Sequence, residues 1–424
     1  MSQHNTLRVG MVGVGMIFDE TYRPLFESLH HSPLHTRLIG TVEVMLEGIA
    51  SRTGTRTEAL RNRWDSSFPL PTNHSGNDCL AKLLSSKVNC VCVATPDDRH
   101  FAAARDSLRA GKHVLIEKPS VLTLAELDQL IQEAAANNVL CKVVYHKLFD
   151  PDHKKLRTHV LNGVLSHVNN GYCTLLEPKS ISGSQFAEWI TGRNPGTYVA
   201  VHYLKLIDFS FGPEWKLLRI SATGQRGLVG PPLGNTWDSV QLQITYAHPD
   251  AREATFDIHT SWVTPDNFPG YVEQEVQFRF DNGIWLAHQR KRGVEMAVEG
   301  RTPHDLKNTP NYHYNGTFIE PWGEHSQRGY GLEAIQRFFE EVAHVEFGGP
   351  VEERSARLAV MRGLAHNDIS ADRNCVAIVQ AMEAILEEQA AGRPGSFAEV
   401  NGPDGGLVLF PRRGNPRVIY APAV

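Results

Sequence analysis

Short, almost purely apolar runs recur through the first third of the chain, each followed by a stretch with helical spacing. Leu7–Val12, Val88–Ala94, Val114–Ile116 and Leu140–Tyr145 are such runs, and Arg37–Glu43 is a further strand candidate. Between them the pattern predicts helices over Glu20–Leu29, Glu47–Trp64, Arg99–Ala110 and Thr123–Asn137. Strands apolar on both faces and alternating with helices imply a parallel sheet covered on both sides, and right-handed crossovers then give a doubly wound α/β fold.

From about His146 the periodicity changes. A helix follows Pro151, and longer alternating runs appear at Trp215–Thr223, Ser239–Tyr246, Ala254–Val263 and Gln274–Phe280, the last leading into the hairpin signal Asp281-Asn282-Gly283. These predict a second domain of α+β type, built on a large, mainly antiparallel open sheet. Helices over Gly331–Val342 and Ala371–Ala391 are assigned to it, and the Gly/Pro-rich tail after Pro394 is read as coil. The expected division is therefore 1–145 and 146–424. An open sheet with one apolar face to cover also predicts a homodimer or homotetramer.

Composition narrows the function classes. The chain has 424 residues, 41% apolar and 21% charged, and a net charge of −5. Its basic residues are scattered, and the short cluster Arg290-Lys291-Arg292 is read as a solvated face, so nucleic acid is excluded as a partner. No uncharged apolar run reaches membrane-spanning length, and Met1–Asn5 is polar with no secretory signature, which predicts a cytosolic protein. Cys79, Cys90, Cys92, Cys141, Cys173 and Cys375 form no Cys-x-x-Cys pair, and His146, His153, His202 and His313 have no metal spacing, so reduced packing cysteines and no metal are expected.

Two places carry candidate chemistry. Leu7–Val12 runs into Gly13-Val14-Gly15, with Met16 and Ile17 next; a strand, Gly-x-Gly and a helix let backbone amides approach a pyrophosphate, although Phe18 stands at the third glycine position. Glu43, read as the end of the second strand, is the candidate acid for the ribose hydroxyls, and with no arginine directly after it NAD is favoured over NADP. The second place is Val114-Leu115-Ile116-Glu117-Lys118-Pro119, where a lysine at the end of a buried strand can be desolvated and poised for proton transfer.

In this order, Gly13-Val14-Gly15, Ala94-Thr95-Pro96-Asp97-Asp98-Arg99-His100 and Glu117-Lys118-Pro119 resemble the nucleotide-binding half of the glucose-fructose oxidoreductase / inositol dehydrogenase (Gfo/Idh/MocA) family. The resemblance implies a sugar, sugar acid or polyol dehydrogenase in which Lys118 touches the reacting hydroxyl, Glu117 supports it, and Thr95, Pro96 and His100 lie along the cofactor. Asp97 replaces the family's usual asparagine. Asn194-Pro195-Gly196-Thr197-Tyr198-Val199-Ala200-Val201-His202 is similar to the segment carrying the family's active-site histidine, here His202. Tyr198 and Lys205 stand where carboxylates are frequent, with Asp208 a turn beyond. His146 and Lys147 match the family's hinge and are candidate substrate ligands, and Trp189 resembles a tryptophan bordering the cofactor. Two loops, Asn311-Tyr312-His313-Tyr314-Asn315 and Glu320-Pro321-Trp322, could stack on sugar rings or serve as turns. A redox-neutral, NAD-retaining glycosidase or lyase is the alternative reaction class.

Overall fold

The computed structural model describes residues 5–60, 64, 68–180, 190, 193–229, 236–268, 272–289, 313–321, 323, 325–364, 366–401 and 405–422. The chain forms two units. The first comprises Met1–Leu122, Glu126–His146 and Tyr314–Arg373; the second comprises Thr123–Ala125, Lys147–His313 and Asn374–Val424.

The first unit is built on strands β1 (Asn5–Val12), β2 (Leu34–Thr36), β3 (Gly40–Ser51), β4 (Thr72–Ser75), β5 (Cys90–Val93), β6 (His113–Ile116) and β7 (Cys141–Val143). Their order is β2-β3-β1-β5-β6-β7, with β4 also on β3, and all pair in parallel except β2, which joins β3 as a short antiparallel hairpin. Chain reversal of strand order at β1 creates the crevice that doubly wound sheets use for ligands. The four residues of β5 and of β6 are all buried, as expected of central strands covered on both faces.

The helix Tyr330–Phe347 departs from the domain assignment made from the sequence. It lies in the first unit, where Leu332, Ile335, Phe338, Phe339 and Val342 join the core of β1 and β3, and Phe339 meets Phe26 at 5.7 Å between ring centres. Each such buried side chain contributes roughly 1.5–3 kcal/mol. An amphipathic pattern reports that a helix covers an apolar surface; it does not say which.

β3 differs too. The strand continues to Ser51, replacing the first half of the helix expected over Glu47–Trp64; the helix itself is only Thr55–Leu60. Val42, Val44 and Leu46 are buried and alternate with the exposed or half-buried Glu43, Met45 and Glu47, a strand period that the later run Gly48-Ile49-Ala50 completes.

The second unit contains a nine-stranded sheet in the order Gly283–His288, Glu273–Phe280, Val168–Pro178, Glu253–Thr264, Ser239–Ala247, Lys216–Gln225, Phe397–Asn401, Gly406–Phe410 and Arg417–Tyr420. Every pairing is antiparallel except that of Val168–Pro178 with Glu253–Thr264. The tail read as coil thus supplies three edge strands; Gly and Pro punctuate it because they make its turns. Among the described residues no helix is long and apolar enough to cross a membrane.

Candidate functional site

The loop after β1 is shaped by one backbone requirement. Gly13 adopts φ +90°, and a Cβ there would lie 2.5 Å from the carbonyl oxygen of Ala94, so only glycine lets the turn pass over the end of β5. Gly13 N–H donates to Ala50 O at 3.1 Å, pinning the turn to β3 as well. Gly15 is different: a Cβ there would meet nothing within 4 Å. That open space, beside a cleft lined by Val14, Gly15, Met16, Asp19, Arg56 and Leu60, is where backbone amides can approach a phosphate. Ile17 precedes one π-helical turn, Phe18–Tyr22, that runs into the helix Arg23–His31. Phe18, the residue in place of the third glycine, is fully buried and packs edge-on to Trp64 at 6.3 Å.

At the end of β5, the Thr95 hydroxyl oxygen is buried without a hydrogen-bond partner in the protein, a polar atom available to a ligand. Pro96 lies in extended backbone at the start of a short turn. His100 is buried with both ring nitrogens at 2.8 Å from carbonyls, Nδ1 to Pro119 O and Nε2 to Thr95 O. Burial lowers its pKa, and the two carbonyls oppose that shift. With both nitrogens so engaged, His100 ties the Thr95 turn to the Lys118-Pro119 turn and acts on the site through them.

Lys118 lies two residues beyond the end of β6 and is half-buried, its peptide bond to Pro119 cis. Beyond it, Ser120 Oγ and Tyr145 OH donate to the two oxygens of buried Asp372, at 2.5 and 2.7 Å, which anchors the corner. Glu117 is buried and accepts a hydrogen bond from Tyr22 OH at 3.0 Å. Burial raises the Glu117 carboxyl to about 7, even though the Lys118 charge and the Tyr22 hydroxyl pull it down. A carboxyl pKa raised above its ordinary 4.5 means that the folded protein holds a proton which the unfolded chain releases. Stability from this group is therefore greatest below pH 4.5 and is lost as pH rises through 7. Urea unfolding of wild type and Glu117→Gln at pH 5 and pH 8 should show wild type losing ground to the variant at the higher pH, by at most about 3 kcal/mol; parallel behaviour would mean that the carboxyl is ionised throughout.

A third group in this unit was not assembled from the sequence. Tyr314 OH lies 3.3 Å from Thr21 Oγ1 and 3.4 Å from His146 Nδ1, its ring 5.5 Å from the His146 ring, while Asn315 Nδ2 donates to Glu20 O at 2.5 Å. The π-helical turn thus presents Thr21 to one tyrosine and Tyr22 to Glu117. Tyr314 and His146 are 168 residues apart in sequence, and neither Tyr22 nor Thr21 belongs to a motif.

In the second unit, Asn194 caps the next element: its Oδ1 accepts from Thr197 N at 2.9 Å and its Nδ2 donates to Glu383 at 2.7 Å. A second π-helical turn, Gly196–Ala200, carries Tyr198 and leads into the helix Val201–Phe211 with half-buried His202 in its first turn. Single π-turns inside helices mark functional positions with some frequency. Asp208, a turn beyond Lys205, accepts from Tyr246 OH at 3.3 Å and Asn374 Nδ2 at 3.0 Å.

Two expected site residues are corrected. Glu43 does not end its strand: it is exposed, pairs with Thr6 at the start of β1, and lies eight residues before Ser51, at the opposite edge of the sheet from Gly13. Lys147 is not offered to a substrate. It is buried, donates to Gln274 at 2.5 Å and Gln289 at 2.8 Å, and lies over the Tyr203 ring at 5.2 Å. Trp189, Asn311, Tyr312 and Trp322 lie outside the described residues. Elsewhere, ligand atoms of His167, His248 and Asp250 fall within 4.8 Å of one another, but Asp250 is held by Arg252 at 2.7 Å, so the group reads as an ion-pair cluster.

Residues 7–145 match the oxidoreductase family with NAD-binding Rossmann fold, Gfo/Idh/MocA. Among curated relatives, D-glucoside 3-dehydrogenase of Escherichia coli is 26% identical over 162 residues, 38% of this chain and 41% of its own. Glycosyl hydrolase family 109 protein 1 of Shewanella sp. strain MR-4 is 26% identical over 264 residues, 56% of each chain. The matches cover 41% and 64% of the length of the first two curated relatives. A crystal structure of GenD2 from gentamicin A biosynthesis, in complex with NAD, superposes with a TM-score of 0.64 over 94% of this chain and 97% of its own, at 18% identity, which is a likeness of fold. The open space at Gly15 and the unpartnered Thr95 hydroxyl fit a dinucleotide.

Proposed function

We propose that the chain is an NAD-dependent oxidoreductase acting on a hydroxyl of a sugar, sugar acid or polyol. The observation that carries this reading is the Glu117-Lys118 corner, anchored at the carboxyl edge of the same parallel sheet whose glycine turn fits a pyrophosphate. When bound, the nicotinamide supplies the acceptor for a hydride from the carbinol carbon. Lys118, as the free amine, holds the alcohol oxygen and takes up its proton to become the ammonium. Glu117 adjusts the charge beside it, and Tyr22 fixes the carboxyl's orientation. His202 is the second proton-handling group, with Tyr198 beside it in the sequence of the π-turn. The carbohydrate class is supported by the names of the glucoside dehydrogenase and glycosyl hydrolase relatives. In this reading the first unit serves the cofactor and the second the substrate and self-association.

A second reading, redox-neutral cleavage with the hydride returned to the substrate, draws on the glycosyl hydrolase relative. We favour net oxidation because the Glu117-Lys118 pair suffices for it. Incubating the protein with NAD and a panel of sugars, sugar acids and polyols should yield reduced cofactor with at least one member. Reduction confined to simple alcohols or hydroxy acids would remove the carbohydrate assignment.

A further inference from the structure

The edge of the sheet that would meet the adenosine ribose carries cations where the sequence placed a carboxylate. β3 passes Glu43 and ends at Ser51, beside the glycine turn: Ala50 O is the acceptor of Gly13 N–H, and Val12 pairs with Ala50. Ser51 Oγ accepts from Gly54 N at 3.2 Å, and the Arg52 carbonyl accepts from Gly76 N at 3.1 Å, so the backbone of this edge is fixed while the Arg52 side chain is exposed. One turn on, Arg56 Nη1 donates to Val14 O at 3.4 Å and lines the same cleft as Gly15 and Met16. Between Glu47 and Glu58 the sequence has no acidic residue. The carboxylate in the cleft, Asp19, faces the guanidinium of Arg23 at 3.7 Å.

A carboxylate at this edge selects NAD by accepting from the ribose hydroxyls and repelling a 2′-phosphate. Here the strand ends in a hydroxyl and a guanidinium, a pair that donates to phosphate oxygens with charge assistance and offers no acidic group against them. We propose that Ser51 and Arg52, backed by Arg56, form a 2′-phosphate site, so that this NAD-binding domain also takes NADP. The proposal rests on the reading of the glycine turn as the dinucleotide site.

Calorimetric titration of wild type and Arg52→Ala with NAD and with NADP tests it without reference to turnover. Wild type should bind both dinucleotides. Arg52→Ala should weaken NADP by roughly tenfold to a hundredfold, the scale of one charge-assisted hydrogen bond, and NAD by less than about threefold. Since the Arg52 side chain is exposed, the variant folds, and a thermal melt alongside wild type checks this. Saturable binding of NAD with none of NADP overturns the proposal and leaves the dinucleotide site standing, as does equal weakening of both ligands by Arg52→Ala. Binding of neither removes the reading of the glycine turn, and the proposal with it.

Discussion

Lys118→Ala should lose turnover by roughly 100-fold or more while still folding and binding the dinucleotide. The size is that of a positioned acid or base removed from a proton transfer. Folding should survive because Lys118 is half-buried after the strand ends, and the corner is held independently by His100 on Pro119 O and by Asp372 on Ser120 and Tyr145. Removing the ammonium also removes a charge that lowers the Glu117 pKa, so the variant's carboxyl should be still more readily protonated. Steady-state kinetics beside calorimetry for the dinucleotide separates the two effects. Unchanged turnover would eliminate Lys118 as the proton-handling group; lost dinucleotide binding would make it a structural cation.

His202→Asn should cost turnover by a similar factor, on the order of 100-fold, with the dinucleotide still bound. Its position in the first turn after a π-helical turn is set by groups other than itself: Asn194 and Thr197 both bond Glu383, and a Cβ on Gly196 would strike Met382 Sδ at 2.4 Å. The imidazole can thus be changed without unseating the helix. Since imidazole exchanges its proton near neutrality, the variant should also lose one limb of the pH dependence of kcat/KM. A profile that keeps both limbs, with turnover within a few-fold of wild type, would assign His202 to packing.

Whatever in the site depends on a short stretch of chain was legible in the sequence. Gly13-Val14-Gly15 and Glu117-Lys118 each bring their own strand, so their place at one edge of the sheet follows from βαβ topology. Glu43 shows where that reasoning fails. A strand over Arg37–Glu43 puts it at the strand's end, whereas the alternation Val42, Val44, Leu46 carries β3 on to Ser51. Eight residues of register move a candidate ligand from one edge of the sheet to the other. Tyr22, Thr21 and Tyr314 were out of reach for another reason. Their partners lie 95 to 293 residues away, and nothing local distinguishes a tyrosine that will meet Glu117 from one that packs in a core. Lys147 gave the opposite error: a cation beside a hinge motif resembles a ligand until its two glutamine partners, more than a hundred residues later, are seen.

In the proposed reaction hydride leaves the substrate for good and Lys118 takes the proton. The most direct measurement uses an active sugar or polyol carrying deuterium at the carbon to be oxidised, with NAD in excess. One reduced, deuterated cofactor should form for each oxidised product, and both should be lost with Lys118→Ala. A product formed by cleavage of a glycoside, its deuterium retained and no reduced cofactor accumulating, would contradict it.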